Sequence, residues 1–393
     1  MNPPGPTRVD VLIVGAGPSG AYLGHLLARR GIEVGIIERD EMPRDKVCGG
    51  GLSRKAIELL DLDVEPLVHR WIHGAHLSYR GGGRFLKHTG QPIGCTVLRR
   101  EFDAFLLGAA AAAGARVWTG TPMRDARQDA DGVEVTVDGG PTLRCRLLIG
   151  ADGVASTVRG RFFGPRLVRY VPALEALVAP PPQAPVECEE HALFDFGALP
   201  HGYGWVFPKR DHWNVGVYSP YGGAQLRRHL GAFLEQLGVT AAPSQVKFLG
   251  FPIPLRNARR RFQTERVWLL GDAAGLAEGV FGEGIYFALK SAALAAQAIE
   301  EGGLAPANNL YTARLEHTLL PELRAARWLG RALYAAPGYA FSHLVSHARI
   351  NELFAGTISG AVGYRECLWR TLVAAPHWLL RARGAAASPA LDR

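Results

Sequence analysis

A glycine-rich turn between an apolar strand and a helix constrains the fold of this chain more than any other feature. Residues 9–14, VDVLIV, are a β-branched run that predicts a buried parallel strand, and GAGPSG follows at once at 15–20. Apolar residues at helical spacing come next, and a second predicted strand at 34–37 ends at Glu38. The order of strand, glycine turn, helix, strand and acid is typical of a dinucleotide-binding βαβ unit.

Each glycine of the turn has a physical role in such a unit. They allow a tight turn, a close approach of backbone to a pyrophosphate and close helix–strand packing, while the acid reaches a ribose hydroxyl. A purely structural glycine turn is the alternative. The predicted cofactor residues of this segment are Gly15, Gly17, Pro18, Ser19, Gly20, Glu38 and Arg39.

Two more acids follow predicted strands directly. The stretch 269–284, LLGDAAGLAEGVFGEG, indicates a strand ending at Gly271-Asp272, a glycine loop and a helix that begins near Gly284. A carboxylate that faces a helix N-terminus suits a polyol hydroxyl beside a group that becomes anionic, and a flavin dinucleotide offers both. An Asp that caps a turn is the alternative. Strand 147–149 leads into a second such turn, and the predicted residues are Asp152, Gly271, Asp272, Gly282, Gly284 and Ile285.

A run of three glycines, Gly49, Gly50 and Gly51, follows Cys48. Such a loop has no side chains, as needed where backbone lies against a flat ring. Cys48 is positioned to touch the ring or to donate a proton, although a cysteine is more often a small buried hydrophobe. Arg99 begins a predicted helix and is a candidate to reach phosphate or ribityl oxygens; a solvated residue at a helix start is the alternative.

Residues 166–261 change character and predict an antiparallel sheet in a second domain. At strand period, Tyr203, Trp205 and Phe207 fall on one face as an aromatic wall, which suits a long apolar substrate or an ordinary core. The predicted fold is α/β, a Rossmann-like FAD-binding domain with an inserted antiparallel-sheet substrate domain and a helical C-terminal region. The predicted boundaries are 1–75, 98–165 and 262–300 for the first, 76–97 and 166–261 for the second, and 301–393 for the last.

Composition limits the partners. The chain of 393 residues carries a net charge of +8, and nearly all of its cationic residues are Arg. This charge favours phosphate or acidic lipid as a partner, and no aromatic-basic nucleic-acid module is evident. The five cysteines, Cys48, Cys95, Cys145, Cys188 and Cys367, show no metal-like spacing and indicate a reducing, cytoplasmic location. No apolar run reaches a membrane span, and no signal peptide is evident at the N-terminus. The Arg-rich, aromatic C-terminal region leaves peripheral attachment to the inner face of the cytoplasmic membrane open.

With these motifs in view, the chain resembles the geranylgeranyl reductase family, within the wider group of flavoproteins that share the para-hydroxybenzoate hydroxylase fold. The resemblance covers residues 8 to about 300. GAGPSG, CGGG at 48–51, GADG at 150–153, GDAAG at 271–275 and GEGI at 282–285 are similar to its FAD-contacting motifs. PHGYGWVFP at 200–208 is similar to its PxxYxWxFP substrate-pocket pattern. Val47 and the loop Glu278-Gly279-Val280-Phe281 stand where members often carry Pro.

The resemblance implies an FAD-dependent oxidoreductase whose flavin is reduced by NADPH, NADH or a ferredoxin-type donor. Its implied substrate is a prenyl diphosphate or a prenylated lipid, whose isolated alkene takes hydride from flavin N5. Tyr203 and Trp205 would stabilise the tertiary cation, while Cys48, Tyr203 or water would supply the proton. Phe207 completes the implied substrate contacts.

Two alternatives remain open at the level of sequence. The first is an oxygen-using enzyme of the same fold, a hydroxylase or monooxygenase, or a halogenase. Residues 204–208 partly resemble the halogenase WxWxIP motif, and Lys46 and Lys209 are then the lysines to check. The second is a flavin-binding membrane protein without turnover.

Overall fold

A computed structural model describes residues 7–88, 90–182, 189–221, 225–239, 246–257, 261–304, 309–346 and 348–373. Cys188 and the last part of the predicted C-terminal region, 374–393, lie outside these ranges. The strands are β1 (Thr7–Val14), β2 (Val34–Ile37), β3 (Gly51–Ser53), β4 (Arg70–Ile72), β5 (Gly74–Tyr79), β6 (Gly82–His88), β7 (Gly94–Thr96), β8 (Arg116–Trp118), β9 (Met123–Gln128), β10 (Val133–Val137), β11 (Leu143–Gly150), β12 (Val168–Val178), β13 (His191–Asp195), β14 (Tyr203–Pro208), β15 (Trp213–Tyr218), β16 (Phe248–Arg256) and β17 (Val267–Leu269). The helices are α1 (Pro18–Ala28), α2 (Arg54–Leu59), α3 (Arg99–Ala112), α4 (Thr157–Phe162), α5 (Leu226–Gln236), α6 (Ile285–Gly302), α7 (Leu310–His317), α8 (Leu319–Ala335), α9 (Pro337–Ser346) and α10 (Ala348–Ser359).

The first sheet has the order β8-β2-β1-β11-β10-β9, with β17 also beside β11. Its strands β8, β2, β1, β11 and β17 run parallel, and the hairpin β9–β10 joins them through the antiparallel pairing of β10 with β11. Val14 lies opposite both Ile37 and Gly150, and Gly150 lies opposite Leu269. The register therefore brings the carboxyl ends of four strands to one edge, where ligands of open α/β sheets bind.

Helix α1 packs on β1 and β2 of this sheet, α3 and α6 pack against α1, and small residues permit a close fit. A Cβ on Gly24 of α1 would lie 2.5 Å from the Cδ1 of Ile36 on β2. The strands that they cover are almost wholly buried: Leu12, Ile13 and Leu148 have no exposed surface. The hydrophobic runs seen in the sequence are thus the interior strands of a sheet covered by helices.

The second sheet has the order β16-β12-β15-β14-β13-β5-β6. It is antiparallel except at one junction, where β13 and β5 run parallel; the wholly antiparallel sheet expected from the sequence is corrected at this pair. One face of this sheet packs on α5 in a separate core around Val206, Val215 and Phe233. A small third sheet has the order β3-β7-β4.

The C-terminal region is helical as predicted, with α7 to α10 following α6. Tyr311 of α7 is fully buried and donates its hydroxyl to the carbonyl of Leu269 at 2.9 Å. Tyr334 of α8 is also fully buried. Within the described ranges, no helix combines the length and apolar character needed to cross a membrane.

Candidate active site

A cavity of about 720 Å³ lies at the carboxyl edge of the first sheet and continues to the second sheet. This volume is in the range of cavities that bind cofactors and small molecules. Residues after β1, β2 and β11 line one part, and residues of β12, β14 and β15 line another. The cavity therefore joins the predicted dinucleotide site to the predicted substrate pocket.

The glycine turn at one end of the cavity leaves no space for a side chain at Gly15 or Gly20. Gly15 has φ +105°, and a Cβ there would lie 2.4 Å from the carbonyl oxygen of Ala151. A Cβ on Gly20 would lie 1.9 Å from the carbonyl oxygen of Gly15. Gly17 is the N-cap of α1 and contributes no side chain to the cap, so the first N–H groups of the helix are available to an anion.

Glu38 lies at the end of β2 and is tied to the same turn. Its Oε2 accepts the N–H of Ala16 at 2.8 Å, and its Oε1 accepts the N–H of Asp40 at 3.2 Å. The guanidinium of Arg44 lies 3.7 Å from Oε2. These contacts orient the carboxylate at the cavity edge, where an adenosine ribose is expected. Arg39 lines the same end but is largely exposed.

Arg99 lines the cavity, but both ends of its guanidinium are taken by one carboxylate. Its Nε and Nη2 donate to Asp103 at 2.7 Å each, and Asp103 is fully buried. Burial alone would lower the pKa of Arg99, but the charge of Asp103 raises it overall. Arg99 is therefore a fixed cation beside the cavity, and its partner stands four residues further along the same helix, a spacing at which side chains of a helix meet.

The CGGG loop, residues 48–51, lies flat against the second sheet. The N–H of Cys48 donates to Oε1 of Glu175 at 3.1 Å, and Lys209 Nζ donates to the carbonyls of Gly49 and Val97 at 2.8 and 3.0 Å. A Cβ on Gly49 would lie 2.8 Å from the ring of Phe207. Burial raises the pKa of Glu175 and lowers the pKa of Lys209 to about 8.

The aromatic wall, Tyr203, Trp205 and Phe207, faces the cavity from β14. Neighbouring ring centroids lie 6.1 and 6.4 Å apart along the strand. The Trp205 indole donates to Asn214 Oδ1 at 2.8 Å. Phe281 joins the wall from the opposite loop, 6.0 Å from the Tyr203 ring. The expected alternation of β14 is thus present, and its other face belongs to the core around Val206.

Asp152 and Asp272, the two acids that follow strands of the first sheet, differ in the contacts of their carboxylate oxygens. Asp152 Oδ2 accepts the N–H groups of Thr157 and Val158 at 2.6 and 3.1 Å, so it caps the start of α4. Its Oδ1 is buried and has no hydrogen-bond partner among the described residues. Burial raises the pKa of Asp152. Asp272 lines the cavity, and a Cβ on Gly284 would lie 3.4 Å from its Oδ1.

These features fit a bound FAD. The glycine turn and the free start of α1 suit the pyrophosphate, Glu38 suits a ribose, and the unpartnered Asp152 Oδ1 with Asp272 offers acceptors to further hydroxyls. Most of the residues predicted from the sequence line this one cavity. Two do not: Gly20 packs on Gly15, and a Cβ on Gly271 would meet Ser19 Oγ at 2.9 Å. Predicted cofactor and substrate residues that do line it are Gly15, Gly17, Pro18, Ser19, Glu38, Arg39, Cys48, Gly49, Gly50, Gly51, Arg99, Asp152, Tyr203, Trp205, Phe207, Asp272, Gly282, Gly284 and Ile285.

Sequence reasoning missed several residues of the site. Glu175 is a single acid inside the apolar strand VRYVPALEALV, and this pattern is the signal that would have found it. Glu278 is fully buried in the glycine loop before α6. Thr357, Ile358 and Tyr364 reach the cavity from the C-terminal region, with no local signal in the sequence.

Comparisons with known proteins agree with this geometry. Residues 8–164 match the family model of the FAD binding domain. Menaquinone reductase of Mycolicibacterium smegmatis is 30% identical over 350 residues, which cover 83% of this chain and 85% of the relative. The chloroplastic geranylgeranyl diphosphate reductase of Oryza sativa subsp. japonica is 32% identical over 322 residues, which cover 76% of this chain and 68% of the relative.

Solved structures show the same fold. A geranylgeranyl bacteriochlorophyll reductase-like protein from Thermoplasma acidophilum superposes with a TM-score of 0.71 at 22% identity, covering 94% of this chain and 96% of that chain. The halogenase PltM superposes with a TM-score of 0.70 at 17% identity, covering 84% and 77%. Likeness at this identity shows the fold alone. The sequence relatives and the FAD-binding domain together show that the chain belongs to the geranylgeranyl reductase family of FAD-dependent oxidoreductases.

Proposed function

We propose that this protein reduces isolated C=C double bonds of a prenyl chain of the geranylgeranyl type, carried by a diphosphate or a lipid. The observation that carries the proposal is the aromatic wall, which packs directly on the CGGG loop and lines the same cavity as the predicted FAD-binding residues. The two sequence relatives support the substrate class, because geranylgeranyl diphosphate and menaquinone both carry prenyl chains.

Reduced FAD, when bound in the cavity, supplies hydride to one carbon of the alkene. The protein must hold the apolar chain and stabilise the positive charge that develops on that same carbon as a proton reaches the other carbon of the double bond. The π faces of Tyr203 and Trp205 suit both tasks, since an aromatic ring attracts cations in a desolvated site. Phe194 and Phe281, whose ring centroids lie 5.4 Å apart, extend the apolar surface for the chain.

We propose Cys48 as the proton donor. Its Sγ accepts the N–H of Gly50 at 3.4 Å, and three cations, Lys46, Arg99 and Lys209, interact electrostatically with it. Positive charge of this kind stabilises the thiolate that remains once the proton has left. The Tyr203 hydroxyl suits the task less well, because it already donates to the Phe281 carbonyl at 2.5 Å and burial raises its pKa well above the usual value.

The same proposal includes the remaining roles predicted from the sequence. The cofactor residues would hold FAD, the domain boundaries would stand as predicted, and NADPH, NADH or a ferredoxin-type protein would be the external reductant. Peripheral contact with a membrane would bring a lipid-borne substrate to the cavity.

A second candidate function, oxygen-using chemistry such as halogenation, has one observation in its favour. Lys46 lines the cavity with its Nζ 3.0 Å from the centroid of the Phe251 ring, and burial lowers its pKa to about 8. Lys209, the other lysine of interest, is occupied because its Nζ donates to three backbone carbonyls. Lys46 is therefore the residue that a halogenase mechanism would need.

The deciding experiment reduces the purified FAD-loaded protein without oxygen and adds geranylgeranyl diphosphate or a geranylgeranylated lipid. We expect the flavin to reoxidise and the product to gain hydrogen by mass spectrometry, whereas a fully saturated chain of equal length gives no reoxidation. Reoxidation only in air, coupled to an oxygenated or halogenated product, would replace this proposal with the second.

Variants test the roles within the site. Cys48→Ala is expected to slow anaerobic reoxidation by about 100-fold or more, the usual effect of removing a general acid. Cys145→Ala is the matched control, since Cys145 is buried in β11 and does not line the cavity. Equal rates in the two variants would remove Cys48 as proton donor.

A further inference from the structure

The loop 278–284, which connects the strand-end turn to α6, is organised by one buried side chain. Glu278 is fully buried, and its carboxylate accepts three backbone N–H groups of its own loop. Oε2 accepts from Val280 at 2.6 Å, and Oε1 accepts from Phe281 and Glu283 at 2.7 and 3.0 Å. The N–H of Glu278 donates to the Glu283 carbonyl at 3.1 Å, which closes the loop on itself.

Tyrosine hydroxyls bind the carbonyl groups of the same loop. Tyr203 donates to the carbonyl of Phe281 at 2.5 Å, and Tyr334 donates to the carbonyl of Val280 at 2.6 Å. Tyr218 donates to the carbonyl of Gly279 at 3.5 Å. These hydroxyls come from β14, α8 and β15, so the loop is fixed from three directions while Glu278 satisfies its N–H groups.

This loop forms part of the FAD cavity. Phe281, Gly282, Glu283 and Gly284 line it, and Ile285 begins α6 there. A shift of the loop would therefore move the start of α6, where Gly284 and Ile285 line the cavity. The shape of the loop and the environment of the cofactor are coupled through the backbone.

The charge of Glu278 is compensated by backbone N–H groups. The charged groups that face it are Glu283 on its own loop and Lys55 on α2, and Lys55 is paired with Glu283 at 2.7 Å. Among the described residues, the other titratable groups that interact electrostatically with it are five tyrosines: Tyr203, Tyr218, Tyr221, Tyr334 and Tyr364. Burial raises the pKa of Glu278 from 4.5 to about 7, so both of its protonation states are populated near neutral pH.

The two protonation states cannot hold the loop equally. An ionised carboxylate is an acceptor at both oxygens and satisfies all three N–H groups, whereas a protonated one presents an O–H donor at one of them. Protonation therefore weakens these hydrogen bonds, because a neutral carboxyl oxygen is a poorer acceptor for a buried N–H than a carboxylate oxygen.

We propose that Glu278 is a positioning residue whose ionised carboxylate fixes the 278–284 loop and the start of α6 against the FAD cavity, so that FAD binding follows the protonation of Glu278. The proposal rests on FAD occupying the cavity and is independent of the prenyl substrate. Failure of prenyl reduction would therefore leave it intact, and the reverse also holds.

The test measures the dissociation constant and visible spectrum of FAD on the protein from about pH 5.5 to about pH 8.5, on either side of the pKa of about 7. We expect FAD to bind about tenfold more weakly at the acid end, the effect of losing one hydrogen bond to a charged group. Glu278→Gln should remove this inflection. Glu316→Gln, a change at an exposed acid of α7, should retain it. An inflection that survives in Glu278→Gln, or none in the unaltered protein, would overturn the proposal.

A second variant keeps the test decisive if Glu278→Gln does not fold. Tyr334→Phe removes the hydroxyl that donates to the Val280 carbonyl, and Tyr334 itself does not line the cavity. Without this hydrogen bond the loop depends more on the carboxylate, and the acid weakening of FAD binding should grow by at least about threefold. If the acid weakening of FAD binding in Tyr334→Phe equals that of the unaltered protein over the same pH window, the proposal is contradicted.

Discussion

Three buried charged residues around the FAD cavity, Glu175, Lys209 and Glu278, hold backbone rather than ligand. Each contributes hydrogen bonds to a loop that lacks regular structure: Glu175 and Lys209 to the CGGG loop, and Glu278 to the 278–284 loop. Burial of a charge is unfavourable unless such contacts compensate it. The protein therefore gives up some stability to hold two irregular loops in one shape at the cofactor.

The raised pKa of Glu278 determines how its contribution to the free energy of unfolding changes with pH. Because folding raises its pKa from 4.5 to about 7, the folded state binds the proton more tightly than the unfolded state. The stabilising contribution is complete below about pH 4.5 and is lost as the pH rises through about 7. Relative to Glu278→Gln, the free energy of unfolding of the unaltered protein should fall by on the order of 3 kcal/mol across this window.

Urea denaturation of the FAD-free protein at several pH values measures this difference without a contribution from FAD binding. Subtracting the free energy of unfolding of Glu278→Gln from that of the unaltered protein at each pH cancels the contributions of the other titrating groups. Parallel pH profiles for the two proteins would show that Glu278 titrates with an ordinary pKa.

At the scale of elements, helix α1 and strand β14 each have two faces with different tasks. Gly20 of α1 must pack on the turn before it, while the free N–H groups at the start of the helix face the cavity. Strand β14 directs its aromatic wall into the cavity and Val206 into the core under α5. Both elements therefore position the cofactor and stabilise the fold at the same time.

Two glycine-to-alanine changes in helices distinguish the packing role of Gly20 from the general preference of helices for alanine. In Gly20→Ala the new Cβ would lie 1.9 Å from the Gly15 carbonyl, so we expect a loss of about 3 kcal/mol or more in stability together with loss of FAD. In Gly108→Ala, within α3, the new Cβ would meet no described atom within 4 Å outside the nearby backbone of its own helix, and we expect a gain of about 0.5–1 kcal/mol in stability. Thermal unfolding and FAD retention during purification measure both; equal stability of the two variants would contradict the packing role of Gly20.

At the scale of the whole molecule, the cavity is shared by the two large sheets. Glu38 and Asp152 follow strands of the first sheet, while Glu175 and Trp205 belong to the second. Helix α8 adds Tyr334 beneath the 278–284 loop. A ligand that touches both sheets stabilises them together, since binding to the folded state alone shifts the unfolding equilibrium.

Scanning calorimetry with and without FAD tests this coupling. At a free FAD concentration about 100-fold above its dissociation constant, we expect about 2.7 kcal/mol of added stability in one cooperative transition. Glu38→Gln should reduce the shift by weakening FAD binding. A shift confined to one of two separate transitions would show that the sheets unfold independently and share no ligand.

The local chemistry of the sequence determined the cofactor half of the protein. The glycine turn, Glu38, Asp152 and Asp272 follow their strands directly, and parallel strands must bring their carboxyl ends to one edge, so short motifs were enough to predict that these residues meet there. The period of β14 likewise predicted the aromatic wall.

Only the tertiary structure decided which distant groups complete the site. Lys209 reaches the carbonyl of Gly49 across 160 positions of the chain, and Glu175 reaches the N–H of Cys48 across 127. The parallel pairing of β5 with β13 and the entry of Tyr364 into the cavity have the same character. Such partners leave no periodicity or spacing in the sequence, because a buried polar group is matched by whatever packing brings within hydrogen-bond distance, however far away it lies in the chain.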